Sequence, residues 1–384
     1  MNDERVLAER LIGYDTSRPD ALVAAAGFVK GWIESRDIEV RDYDQNGLPV
    51  LVAEVGPRDE TVPCVVFHGH LDVVPGRAEQ FQPRVEGDRL IGRGAYDMKG
   101  ALAAMMCALK DLDQQDRIRV RLTCVPDEES EELDERSTDA VVARGLGGNF
   151  AITGEPTDLH IGVEAKGVLV MRIEVHGRSA HSSTPWLGDN AVLKAVDVFR
   201  AIESLPFTRV SSEMFDSPSI NLGRIHGGDA LNKVPDECTI FVDVRYLPGQ
   251  DPEEILEQVR TVPGIEVTRT FIHPPVTVSR TDPYVRALRQ AVARAAPDRE
   301  TMSVGRDGAS DAAAFIGAGI PAVEFGPAGA GHHGPEEWVS VSSMARYRRA
   351  LGDFVRGLPM WLEQPERNGN APRGMPETLE GGLA

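Results

Sequence analysis

Residues 64–72 read Cys-Val-Val-Phe-His-Gly-His-Leu-Asp. A short apolar run, preceded by Pro63, ends abruptly in two histidines and a carboxylate. So short and uniformly apolar a run is expected of a strand buried on both faces of a parallel sheet. Three further segments repeat the arrangement. Leu122-Thr123-Cys124-Val125 leads into Asp127-Glu128-Glu129. Phe150-Ala151-Ile152-Thr153 leads into Gly154-Glu155-Pro156. Ala322-Val323-Glu324-Phe325 leads, through a glycine-rich loop, into His332-His333. Ligands of open α/β sheets bind beyond the carboxyl ends of parallel strands. Four such ends carrying imidazole or carboxylate predict convergence on one crevice.

Working outward, residues 4–35 read as helix, broken by a turn at Ser17-Arg18-Pro19. Val50–Val55 reads as a strand, Arg84–Gly92 as a hairpin, and the Ala/Met/Leu-rich stretch Met98–Leu112 as a buried helix. From Gly167 to about His273 the order is strand, helix, strand, strand, helix, strand, a split unit of the ferredoxin-like type. A helix over Pro283–Ala296, a strand over Ile320–Phe325 and a closing helix over Val341–Leu358 follow. The expected fold is α/β. A larger mixed-sheet domain takes residues 1–165 and 281–363, and an inserted ferredoxin-like βαββαβ domain takes 166–280. Residues 364–384, rich in Pro and Gly, are expected to be a disordered tail.

The 384 residues include 60 acidic and 41 basic side chains, a net charge of −19. Such a surface repels phosphate backbones and anionic bilayers, so neither nucleic acid nor membrane is an expected partner. No apolar run approaches the ~20 residues of a membrane helix. The start, Met1-Asn2-Asp3-Glu4-Arg5, lacks the pattern of a secretory signal. Cys64, Cys107, Cys124 and Cys238 stand singly, without C-x-x-C spacing. Reduced thiols and a cytoplasmic location are expected. Only six of the basic residues are lysines, which fits either a GC-rich genome or a salt-adapted host.

A fifth piece is Gly92-Arg93-Gly94-Ala95-Tyr96-Asp97-Met98-Lys99-Gly100. Asp97 stands where a dinucleotide loop needs its third glycine, so nucleotide binding is not expected. A carboxylate at the mouth of a helix reads better as a metal bridge. Imidazole and carboxylate together suit zinc and tolerate cobalt or manganese. Two ions ~3.5–4 Å apart hold and acidify a water, and a further carboxylate then serves as base. Taken singly, each piece has a plainer reading: a surface His-Asp pair, a solvated acidic run, a turn. Their joint placement after strands argues for a site. His68 competes with His70, and His332 with His333.

The order His70-x-Asp72, Gly94-x-x-Asp97-Met-Lys-Gly, Asp-Glu128-Glu129, Gly-Glu155-Pro-Thr and His333-Gly-Pro-Glu-Glu337 resembles the M20 metallopeptidases. These are dinuclear zinc amidohydrolases that include succinyl-diaminopimelate desuccinylase, acetylornithine deacetylase and carboxypeptidase G2-like enzymes. The resemblance spans roughly residues 5–360. It implies two divalent ions, zinc first and cobalt or manganese as alternatives, held by His70, Asp97, Glu129, Glu155 and His333, with Asp97 bridging. It favours His70 through Gly69-His70-Leu71-Asp72-Val73-Val74-Pro75, and His333 through Pro335 and Glu337. It implies that Asp72 orients His70 and that Glu128 is the general base.

The inserted domain would then be the family's lid and dimerisation domain. Gly177-Arg178-Ser179-Ala180-His181-Ser182-Ser183 resembles the segment whose histidine reaches the partner's active site and stabilises the oxyanion. That makes His181 catalytic in trans and the protein a homodimer. Asn232-Lys233-Val234-Pro235 and Asp243-Val244-Arg245 resemble substrate-holding lid residues, with Arg245 gripping a carboxylate. Gly308-Ala309-Ser310-Asp311-Ala312 resembles a loop beside the substrate, with Ala309 in place of Thr and Asp307 in place of Gly. Ser130–Glu135 replaces a shorter turn and is expected to enlarge a loop near the site. The resemblance implies hydrolysis of the amide bond of a small N-acyl amino acid, in the manner of a desuccinylase or deacetylase. A dipeptidase or carboxypeptidase built on the same centre is the alternative within enzymes. A metal-free binding protein on this fold would show a lost ligand or base, and the complete set argues against it.

Overall fold

The computed structural model describes residues 3–130 and 136–363. The tail at 364–384 and residues 131–135 of the acidic loop lie outside the described residues.

The largest sheet has nine strands and is mixed. Eight follow the order Val40–Gln45, Leu48–Val55, Arg119–Val125, Cys64–His70, Phe150–Thr153, Ala322–Glu324, Ile161–Ala165, Val276–Thr277, and Ser303–Arg306 joins beside Ile161–Ala165. The four strands that precede the predicted ligands are consecutive neighbours, and each neighbouring pair is parallel. Their carboxyl ends therefore open on one edge. Register places His68 opposite both Thr123 and Thr153, and Thr153 opposite Glu324.

Behind this edge runs the helix Gly100–Asp111, buried at every position through Leu109. A helix apolar on all sides belongs in a core, and this one packs against the helices Asp3–Ile12 and Val341–Leu362. The expected start at Met98 is corrected to Gly100. Asp97 (φ −123°, ψ 99°) and Met98 (φ −130°, ψ 27°) are non-helical and belong to the turn that presents Asp97. A side chain at Gly154 would meet Met98 Cε at 2.3 Å and Ala101 Cβ at 3.0 Å. Its absence lets the end of strand Phe150–Thr153 settle on the helix, which sets the height of Glu155.

Residues 167–273 build a separate four-stranded antiparallel sheet, ordered Ser219–Gly227, Glu237–Tyr246, Gly167–His176, Ile265–His273. Leu169, Met171, Ile173 and Val175 alternate inward and share a second core with the helices Ala191–Ile202 and Pro252–Arg260. Both helices start where a side chain can cap them: Asn190 accepts from the amides of Val192 and Leu193, and Asp251 from that of Glu253.

A small third sheet, ordered Gly329–Ala330, Trp338–Ser340, Arg89–Ile91, Arg84–Glu86, closes the site. Ala330 pairs with Trp338, and Trp338 with Ile91. The loop 331–337 is thus pinched at its base and held beside the Gly92–Lys99 turn.

The sequence reading did not anticipate the strands Val40–Gln45, Ile161–Ala165, Val276–Thr277 and Ser303–Arg306, or the helices Ser137–Ala143 and Ala312–Gly317. The first is a largely exposed edge strand carrying three charges. The others are two to seven residues long, too short for a period to show, and most owe their state to pairing partners distant in sequence.

Candidate metal centre

Asp97 is the hub. His70 Nε2 lies 3.1 Å from its Oδ1, and His332 Nε2 hydrogen-bonds its Oδ2. His333 Nε2 lies 3.4 Å from the same Oδ2 and 2.9 Å from Glu129 Oε1. One donor atom each from His70, Asp97 and Glu155 fits within 4.8 Å of the others, and so does one each from Asp97, His332 and His333. Both histidines of the pair therefore reach Asp97, but among the described residues only His333 also bonds Glu129. Asp72 meets His70 on one side and Glu129 on the other. Its backbone oxygen lies 3.0 Å and its Oδ1 3.4 Å from His70 Nδ1, while its Oδ2 accepts from the Glu129 amide at 2.7 Å.

Electrostatics show how the charges in the cluster are disposed. Burial, then the charges of Asp97 and Glu128, pushes Glu155 well above the usual carboxylate range. Burial, then Asp311, does the same to Glu128. Burial alone would also raise Asp97, yet hydrogen bonds with His332, His333 and His70 hold it well below that range. Bonds to Asp97 and Glu129 raise His333 to about 10. Among the described residues Asp97 pairs with histidines alone, and no histidine forms an ion pair with Glu155 or Glu128. Imidazoles presenting Nε2 to carboxylates, with His70 also held at Nδ1, are donors that suit divalent cations, so the residues fit a metal pair.

Glu128 stands beside His70 and Asp97 without a hydrogen bond to either among the described residues. Its nearest cation is Arg136, with Nη1 at 3.7 Å. His68 faces away from the centre into a buried network, its Nδ1 2.7 Å from Thr123 Oγ1 and its Nε2 2.8 Å from Asp311 Oδ2, which also accepts from Thr138. Sequence reading missed this network and the full role of Glu337, described below. Their contacts join residues up to 244 positions apart, which no local spacing reveals.

His181 is exposed. Its Nδ1 accepts from the Ser183 amide at 3.1 Å, and it bridges to Lys233. Asn232 is adjacent, its carbonyl accepting from the Ser182 amide. Arg245 donates to both oxygens of Asp243, at 2.9 and 3.1 Å. Among the described residues no hydrogen bond or ion pair joins His181, Asn232 or Arg245 to the Asp97 cluster. Ser310 is buried and donates to Glu324 Oε1 at 2.8 Å, so its hydroxyl is engaged within the protein.

Donors of this kind hold divalent cations, and the adjoining carboxylate is what activation of water requires; the class is that of a metal-dependent hydrolase. The chain belongs to peptidase family M20/M25/M40, whose model matches residues 66–357. It is 29% identical over 363 residues to the succinyl-diaminopimelate desuccinylase of Halorhodospira halophila, covering 88% of this chain and 90% of that protein. It is 31% identical over 327 residues to the acetylornithine deacetylase of Myxococcus xanthus, covering 79% and 83%. An M20 family metallo-carboxypeptidase of Sulfolobus solfataricus shares the fold with a TM-score of 0.78 at 19% identity, covering 94% of this chain and all of that one. No helix among the described residues is long and apolar enough to cross a membrane.

Proposed function

We propose that the protein hydrolyses the amide bond of a small N-acyl amino acid, releasing a carboxylic acid and a free amine. The observation that carries this reading is the pairing of two donor trios, sharing Asp97, with the adjoining carboxylate of Glu128. Desuccinylase and deacetylase relatives that align over most of both chains support the acyl-amino-acid class. Peptidases among the solved structures support the fold, and a dipeptidase or carboxypeptidase remains the second reading.

His70, Asp97 and Glu155 would hold one divalent ion, and Asp97, Glu129 and His333 the other, with zinc first. Such ions polarise an amide carbonyl and lower the pKa of water. Glu128 takes the proton from water as the new C–O bond forms. It passes that proton to the nitrogen as the C–N bond breaks, so the amine leaves neutral. Asp72 keeps the His70 imidazole in one tautomer throughout. Arg245 would bind the substrate carboxylate, and Asn232 and Ser310 would lie beside it, Ser310 after release from Glu324.

His181 of a second copy would donate to the oxyanion, in a homodimer joined through the lid. Exposed apolar side chains on that domain support the contact: Leu193 and Val196 on the helix Ala191–Ile202, Ile225 on an edge strand, and the nearby Trp186 and Leu231. Four buried, unpaired thiols suit a cytoplasmic setting.

The test is hydrolysis of N-succinyl-diaminopimelate, N-acetylornithine, other N-acetyl amino acids and simple dipeptides by zinc- or cobalt-loaded protein. Turnover of an acylated amino acid, abolished in Glu128→Gln, is expected. Turnover of dipeptides alone would replace this reading with the second.

A further inference from the structure

We infer that Arg93 and Glu337 form a buried strut that positions Asp97 and His333, and that it governs occupancy of one of the two metal positions selectively. The inference rests on the dinuclear reading above.

Glu337 is 1% and Arg93 5% exposed at the side chain. Glu337 Oε1 accepts from the amides of Tyr96 at 2.9 Å and Asp97 at 3.0 Å. Its Oε2 accepts from the Gly94 amide at 3.0 Å and from Arg93 Nη1 at 2.8 Å. One carboxylate thus satisfies three backbone donors of the turn that presents Asp97. That turn needs Gly94 at φ 78°, where a side chain would also strike Val73 Cγ1 at 2.7 Å. The other arm of the Arg93 fork, Nη2, donates to the His333 carbonyl at 3.0 Å. His333 itself sits at φ 55°, a conformation its loop must impose. Gln80 adds a lesser tie, donating to the Gly334 carbonyl at 3.2 Å.

The asymmetry follows from what holds each ligand. His70 ends a strand, and Glu155 follows one by two residues, so the ladder of the large sheet fixes both. Asp97 and His333 stand on turns outside every ladder. The trio of His70, Asp97 and Glu155 keeps two sheet-anchored members if the strut fails. The trio of Asp97, Glu129 and His333 keeps only Glu129, steadied by Asp72. Arginine is needed because two arms of one planar fork bond the Glu337 carboxylate and the His333 carbonyl at once, and a lysine reaches only one.

The test is titration of the metal-free protein with chelator-buffered Zn²⁺, following ions bound per subunit, with Arg93→Lys, Gln80→Ala and the exposed control Glu336→Ala. Wild type and Glu336→Ala should bind two ions. In Arg93→Lys one ion, that of the Asp97, Glu129 and His333 trio, should lose affinity about 10–100-fold, the usual scale for a partner behind a ligand, while the other ion, which shares Asp97 but keeps two sheet-anchored ligands, loses much less. Gln80→Ala, at a half-buried position, should show a smaller loss at the same ion and decides the matter if Arg93→Lys does not fold. Two ions held by the variants as by wild type, or both ions weakened equally in a natively folded variant, would overturn the strut. Fewer than two ions in wild type would overturn the dinuclear reading itself.

Discussion

Glu128→Gln separates chemistry from stability, because in this fold the two run in opposite directions. The largely buried Glu128 side chain, 13% exposed, lies near Asp311, Asp97 and Glu155, with one guanidinium at 3.7 Å. Burial, then Asp311, holds its carboxyl well above the usual range. A carboxylate raised in the folded state takes stability away as pH climbs from its unfolded value, about 4.3, toward its folded one. Each pH unit in that window costs about 1.4 kcal/mol. Gln keeps the volume and carries no charge. The metal-free variant should therefore match wild type near pH 4 and become progressively more stable as pH rises. Loss of a general base should meanwhile lower kcat of the metal-loaded protein by about 10²–10⁴. Urea unfolding in chelator between pH 4.5 and 8, beside a hydrolysis assay, reads both. A stability difference that does not grow with pH would refute the electrostatic argument, and full activity would remove Glu128 as the base.

Three other outcomes are expected. Bonds to Asp97 and Glu129 raise His333 to about 10, so its contribution to metal-free stability is complete below about 6.5 and lost as pH rises through 10. Metal affinity moves the other way as the ligands shed protons, so the gap in Tm between metal-loaded and chelated protein should widen from pH 6 to 9 in a melting series. Mixing inactive Glu128→Gln with inactive His181→Ala should restore about a quarter of wild-type activity after subunit exchange, since half the dimers regain one intact site; no recovery in mixed dimers would remove His181 from the partner's site. Gly154→Ala should destabilise by about 1–3 kcal/mol through its clash with Met98 and Ala101, and should weaken metal binding at Glu155, as calorimetry and metal titration would show.

The sequence by itself determined the elements that pack on their own period. The apolar run before His70, the all-apolar helix behind it and the alternating strands of residues 167–273 carry their burial in their spacing. It also placed a ligand-type side chain after each of four strands, because strand ends are local events. Only the tertiary structure decided that those strands are adjacent and parallel, which makes one site of four. It decided too that His68 turns away to Asp311 while His70 meets Asp97, although the two histidines sit two residues apart on one strand. Likewise, His332 and His333 both reach Asp97, and Glu337 gathers the turn that presents it. Those contacts join residues 27 to 244 positions apart. They depend on how the sheet is ordered and on how a three-strand pinch closes the last loop. Local sequence sets which side chains are available, but the distances that turn carboxylates and imidazoles into a metal centre are set by pairing across the whole chain.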